Sequence, residues 1–122
     1  MAINFKVTLL MGSFVLLAPA NANAAVPPAA FATCAVCHSA NPGDKPKIGP
    51  NLFGVSKRKA GTAPGFVYSS AMKASGISWN RQNLADFIKA PAHKVPGTKM
   101  TFGGQPDPKK VNDLVDYLLS LK

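Results

Sequence analysis

Apolar positions near the C-terminus recur with a helical period. Val111, Leu114, Val115, Leu118 and Leu119 fall at i, i+3, i+4, i+7 and i+8, one face of a helix. Asp107 stands where a cap belongs, and Pro108 occupies the first helical position. A shorter stripe, Leu84, Phe87 and Ile88, follows a capping Asn80 and is closed by Pro91. Ser69 or Ser70 can cap a short helix that Gly76 ends. Pro27-Pro28 can open another, placing Phe31 one turn before Cys34. Between these segments, 39–50, 51–68 and 91–106 are rich in Gly and Pro and read as loops. No stretch alternates with period two. The pattern predicts a small all-α domain whose loops are long enough to require something to wrap around.

The N-terminus changes the domain boundaries. Lys6 precedes an apolar run from Val7 to Ala18, and Ala20-Asn21-Ala22-Asn23-Ala24 offers small-x-small cleavage sites after Ala22 or Ala24. Residues 1–24 read as a secretory signal peptide, too short and wrongly flanked for a stable membrane anchor. The mature domain is then 25–122, exported to the periplasm. At that size an apolar core alone is marginal. Without Lys6, 13 basic residues face five aspartates, a formal charge of +8, and there is no glutamate. Export and the spread of the lysines argue against nucleic acid. An acidic protein partner reached by electrostatic steering fits better. No second apolar stretch is long enough to span a bilayer, so the expectation is a soluble monomer without stable membrane insertion.

The chemistry concentrates in Cys34-Ala35-Val36-Cys37-His38, the C-x-x-C-H pattern of covalent c-type haem attachment. Two thiols three residues apart reach one ring edge from a single helical turn, and His38 can meet the iron from the same side. The same cysteine pair could also be a thioredoxin-like dithiol, half a zinc site or a short-loop disulfide. A zinc site needs about four ligands, and the other histidine, His93, is distant in sequence. A thioredoxin-like site expects a βαβ context that is absent.

A sixth iron ligand would separate an electron carrier from a haem enzyme with an open face. Candidates are Met72, Met100, His93 and lysines such as Lys99. Thioether sulfur is a soft ligand that raises the potential. Met100 lies in Pro96-Gly97-Thr98-Lys99-Met100-Thr101-Phe102-Gly103-Gly104, where glycines let backbone approach a flat ring. Met72 lies inside a short helix and reads as packing.

Beyond the pentad, Gly49-Pro50-Asn51-Leu52, Ala63-Pro64-Gly65-Phe66-Val67-Tyr68, Gly76-Ile77-Ser78-Trp79, Pro96-Gly97-Thr98-Lys99-Met100 and Leu114-Val115-Asp116-Tyr117-Leu118 follow in order. With these strings the chain resembles class I c-type cytochromes, in the branch of mitochondrial cytochrome c and bacterial cytochrome c2, over nearly all of 28–122. The resemblance implies the cytochrome c fold around one haem c held by Cys34 and Cys37. It implies iron ligation by His38 and Met100, with the second His38 ring nitrogen donating to the Pro50 carbonyl. Arg58, Tyr68 and Trp79 match residues that serve the haem propionates, Thr98 one near the inner propionate, and Phe102 the aromatic shielding the haem. Leu114 and Tyr117 match the face that packs on the N-terminal helix. Lys45, Lys47 and Lys99 match positions of a partner-docking face; Lys94 is a weaker candidate for it. The implied function is one-electron shuttling between periplasmic or membrane-bound redox complexes, without enzymatic catalysis. Phe87 stands where the family usually has a tyrosine, Met72 where it has asparagine, and Lys57 where glycine is common. A peroxidase-like protein and a fixed subunit of a membrane complex are the rival readings.

Overall fold

A computed structural model describes residues 25–122. The proposed signal peptide lies outside the described residues. Among the described residues five α-helices occur in this order: α1 Phe31–Ala35, α2 Ser70–Ala74, α3 Arg81–Lys89, α4 Pro91–Lys94 and α5 Pro108–Ser120. A single 3-10 turn, Val55–Lys57, lies between α1 and α2. The described residues form no named strand; one isolated antiparallel bridge joins Lys59 and Ser78.

The helix starts are chemically specified. Ser69 Oγ accepts from Met72 N at 3.1 Å, and Asn80 Oδ1 from Asn83 N at 2.9 Å. Asp107 Oδ1 accepts from Lys109 N at 2.9 Å, satisfying an amide that the helix itself leaves free. α5 buries Val111, Leu114, Val115, Tyr117 and Leu118. It packs on α3, which contributes Leu84 and Ile88. Phe31 of α1 meets Tyr117 edge to face, ring centres 4.8 Å apart, so the N-terminal helix docks on α5 through one aromatic pair.

The stretch 91–106 departs from the loop expected there. α3 does end at Lys89, because Ala90 before a proline is held extended at φ −155°. Pro91 then starts α4, where its missing N–H costs nothing. Val95 N donates to Pro91 O at 2.9 Å and ends that turn. The remainder, from Val95 to Asp107, is irregular. Its far end returns to α3: Gln105 N donates to Ile88 O at 2.9 Å. Gly104 has φ +114°, and a Cβ there would collide with the Lys89 carbonyl, whose carbon would lie 2.9 Å away. Only glycine lets the chain close this neck. The stretch therefore leaves α3 at Ala90 and is latched back onto it at Gly104 and Gln105.

Candidate functional site

The helices and loops enclose a cavity of about 430 Å³, within the range of roughly 300–1,000 Å³ typical of cofactor-sized sites. Its wall is mostly apolar, with Phe31, Leu52, Val55, Leu84, Phe87, Ile88, Leu114 and Leu118 among the lining residues. Core residues of α3 and α5 thus face a space on one side, where a close-packed small domain would have another layer.

The pentad occupies the end of α1. Cys37 N and His38 N both donate to Cys34 O, at 3.1 and 2.9 Å, so one helical turn continues through the histidine. Cys34 and Cys37 are free, half-buried thiols, and both line the cavity. Burial raises the Cys34 thiol above its ordinary pKa, against a smaller opposing effect of backbone hydrogen bonding. His38 Nδ1 lies 2.7 Å from Pro50 O and donates to it. That contact fixes the tautomer and leaves Nε2 unprotonated, with its lone pair available as a ligand. Burial pushes the His38 pKa down, and Lys47 adds to this against the opposing Pro50 bond.

The position of the imidazole depends on Gly49. A Cβ there would overlap the ring, with Nδ1 and Nε2 at only 2.8 and 2.9 Å. Gly49 N also donates to Cys37 O at 2.8 Å, so the 47–50 segment is strapped to the pentad. In the sequence Gly49 is one member of the Gly49-Pro50-Asn51-Leu52 string; its necessity comes from the His38 ring that lies against it in three dimensions.

Met100 lines the same cavity, together with Thr98, Thr101 and Phe102 of its loop. Met100 N donates to Thr98 Oγ1 at 3.3 Å. Met72 also faces this space and is buried, so the structure brings two thioethers to the cavity. They differ in setting: Met72 belongs to a capped helix and the hydrophobic core, while Met100 sits in the latched, irregular stretch. His93, the other nitrogen candidate, is exposed on α4 and does not line the cavity.

Arg58, Tyr68 and Trp79 all line the cavity. Arg58 donates to Phe53 O at 2.8 Å and to Asn51 O. Among the described residues no carboxylate pairs with it, and burial depresses its pKa. An uncompensated guanidinium at an apolar cavity is a ready partner for an anion. Tyr68 Oη accepts from Ala63 N at 3.1 Å, and its ring stands edge to face with Phe66, centres 4.8 Å apart. Trp79 is buried, its ring centre 5.2 Å from that of Phe87.

The three lysines expected on a docking face are exposed. Lys47 Nζ donates to Ala35 O at 2.8 Å and Lys99 Nζ to Val67 O at 3.2 Å, so two of the three ammonium groups are held by backbone carbonyls. Lys45 lies in the adjoining loop. Lys94 instead pairs with Asp86 at 3.1 Å, which weakens its claim to a docking role.

These donors fit a covalently held haem. Two thiols, a free imidazole nitrogen, a thioether and an unpaired cation share one apolar cavity. Among the described residues no three of His, Cys, Asp and Glu group closely enough to hold a metal ion, so a zinc site finds no ligand set here. Also among the described residues, no helix is long and apolar enough to cross a membrane.

The family model for cytochrome c matches residues 28–122. The chain is 47% identical over 114 residues to a cytochrome c2 of Blastochloris viridis, covering 90% of each chain. It is 48% identical over 92 residues to a cytochrome c2 of Rhodoblastus acidophilus, covering 75% of this chain and 86% of that one. A solved structure, cytochrome cH from Methylobacterium extorquens, superposes with a TM-score of 0.70 at 46% identity, covering 75% of this chain and 91% of the other.

Proposed function

The chain belongs to the cytochrome c family, and from that premise we propose how its residues hold the cofactor and which partners they meet. It is an electron carrier and not an enzyme, and its cofactor is one covalently attached haem c. When bound, the haem supplies the one-electron couple. Cys34 and Cys37 are the covalent anchors, His38 the proximal ligand through Nε2, and Met100 the distal one. The observation that carries this reading is the shared cavity. It brings the pentad together with Met100, and both ligand-bearing segments are strapped to backbone from outside it.

The remaining residues tune and protect. Pro50 orients His38; Arg58, with Tyr68 and Trp79 beside it, meets the propionate charge; Thr98 lies close to Met100; Phe102 excludes water. Keeping both ligands in place in either oxidation state limits reorganisation. The partners are acidic redox proteins, met at Lys45, Lys47 and Lys99. The compartment is the periplasm, reached with residues 1–24 as a cleaved leader, and the carrier is a soluble monomer.

The test begins with expression in a host able to mature c-type cytochromes. After denaturation and acid–organic extraction the polypeptide should keep the mass of one haem. The oxidised protein should show a sulfur-to-iron charge-transfer band. Met100→Ala should abolish that band, lower the potential and admit cyanide, while Met72→Ala keeps the band. The reverse pattern would make Met72 the ligand. Partner docking is tested by ionic strength, because exposed charges are screened over ~8 Å at physiological salt. Electron transfer to an acidic partner should slow steeply as salt rises, and Lys47→Glu should slow it more than Lys122→Glu. A rate flat in salt would reject the acidic-partner reading.

A further inference from the structure

Asn51 does not line the cavity, yet its side-chain amide is fully engaged. Nδ2 donates to Asn41 O at 2.7 Å and to Asp44 O at 3.1 Å, and Oδ1 accepts from Phe53 N at 2.9 Å. An asparagine amide offers two N–H donors and one acceptor oxygen, so every polar atom of the side chain is in use. Two of its three targets lie in the 41–44 turn, which closes on itself. There the Asp44 carboxylate accepts from Ser39 Oγ and, at 3.0 Å, from Asn41 Nδ2. Asn51 is therefore clipped to a loop that already holds its own shape.

The backbone beside this side chain meets two groups of the site. Pro50 O accepts from His38 Nδ1 at 2.7 Å, and the next carbonyl, Asn51 O, accepts from the Arg58 guanidinium. Arg58 also donates to Phe53 O at 2.8 Å, and Phe53 N is the third partner of the Asn51 side chain. Both carbonyls that receive Arg58 thus belong to residues that the Asn51 amide fixes. The flanking backbone is anchored at Gly49, whose N donates to Cys37 O, and at Leu52, whose N donates to Ser39 O, each at 2.8 Å. Between those anchors Pro50 has no N–H to donate. The Asn51 side chain supplies the hold that this stretch of backbone lacks.

We propose that Asn51 is a positioning residue that sets the His38 imidazole and the Arg58 guanidinium in one frame, through the consecutive carbonyls of Pro50 and Asn51. It touches neither the iron nor the propionates. One turn of backbone holds the proximal ligand and the cation that meets the propionate charge, so neither shifts without the other. For a one-electron carrier this shared hold limits rearrangement between oxidation states. The proposal rests on the roles given above to His38 and Arg58, and adds the residue that couples them.

NMR of the isotope-labelled holoprotein reads both groups directly, through exchange with water of the His38 Nδ1–H and the Arg58 guanidinium N–H. Asn51→Ala should speed both by about tenfold, the scale of one lost hydrogen bond, while amides of α5 keep their protection. Asn51→Ser should lie between variant and parent, because a serine hydroxyl still accepts from an amide two residues on but is too short to reach the 41–44 turn. Thr62→Ala removes the 2.6 Å bond from Thr62 Oγ1 to Lys59 O on the same side of the molecule and should leave both protons as in the parent. Acceleration of one proton alone would overturn the shared frame. Acceleration of neither would show that the Gly49 and Leu52 anchors suffice, and would overturn it too. Equal acceleration in Thr62→Ala, or loss of protection throughout α5, would reduce Asn51 to a contributor to general stability and reject the proposal. If Asn51→Ala yields no folded holoprotein, Asn51→Ser carries the same test with the same outcomes. Failure of the underlying reading looks different and appears in the parent itself: His38 ring protons without the large shifts that a ligated haem iron imposes.

Discussion

The α3–α5 side and the loop side hold together by different means. On the first, side chains do the holding: Leu84 and Ile88 meet Leu114 and Val115, capping side chains close the helix starts, and Arg81 reaches Asp116 at 2.6 Å. All three ion pairs among the described residues involve α3 or α5. On the loop side, hydrogen bonds to backbone carbonyls do it: Gly49 N on Cys37, Lys47 Nζ on Ala35, the Arg58 guanidinium on two carbonyls, Gln105 N on Ile88. The helical side is the more self-sufficient, because its apolar faces cover each other and only their inner edge meets the cavity. The loop side presents apolar residues to a cavity, and its packing is completed by the cofactor.

That contrast is open to perturbation, and the largest effect belongs to the helical side. Leu114 is 2% exposed and touches both the core and the cavity. Leu114→Ala should cost about 2–5 kcal/mol, the usual range for a buried leucine. Denaturation of the holoprotein should show it as a lower midpoint with an unchanged slope. The charge-transfer band expected from the proposed Met100 ligation should stay, because the latch of the 91–106 stretch does not involve Leu114. A loss of the band without a drop in the midpoint would mean that the two sides are not separate.

Gly104 probes the opposite side. Gly104→Ala adds a left-handed strain of about 1–3 kcal/mol to a collision with the Lys89 carbonyl. The neck of the stretch should open locally. The band should weaken, imidazole should bind faster, and amides of 96–103 should exchange sooner, while amides of α5 keep their protection. Faster exchange throughout α5 would show instead that the neck supports the whole fold.

The same division explains what the sequence disclosed. α3 and α5 were legible because their stripes, caps and prolines are local signals, written within a few residues of where they act. The pentad was legible because its chemistry requires fixed spacing. α4 was not, since Pro91 stops one helix and starts another, and the residue type alone carries both meanings. Gly49 and Gly104 stood in plain view, yet their necessity comes from the His38 ring and the Lys89 carbonyl, brought there by tertiary packing. The anchoring of Lys47 and Lys99 was hidden for the same reason: a lysine bonded to a remote carbonyl has no sequence signature. Lys94, the weaker docking candidate, is paired with Asp86, a contact that eight residues of separation do not announce.

The smallest predicted effect concerns that Asp86–Lys94 pair, which joins α3 to the start of the distal loop. Lys94 Nζ and Gln82 Nε2 both donate to the Asp86 carboxylate, at 3.1 and 2.7 Å. These bonds, with Lys94 first, hold the Asp86 pKa below its ordinary value. A carboxylate whose folded pKa is depressed stabilises the fold above its unfolded pKa, about 3.9 for aspartate, and that contribution fades as pH falls through the folded value. Asp86→Asn should therefore lower the melting temperature slightly at neutral pH. The gap between parent and variant should narrow in acid and also shrink in high salt, since the pair is partly exposed. If the pair steadies the loop rather than only α3, Asp86→Asn should also raise the rate at which imidazole displaces Met100, the proposed distal ligand, at neutral pH, but not in acid. A melting gap that is the same at every pH would mean that Asp86 acts through its neutral hydrogen bonds, and the two sides would then be joined by the Gly104–Gln105 neck without help from this charge.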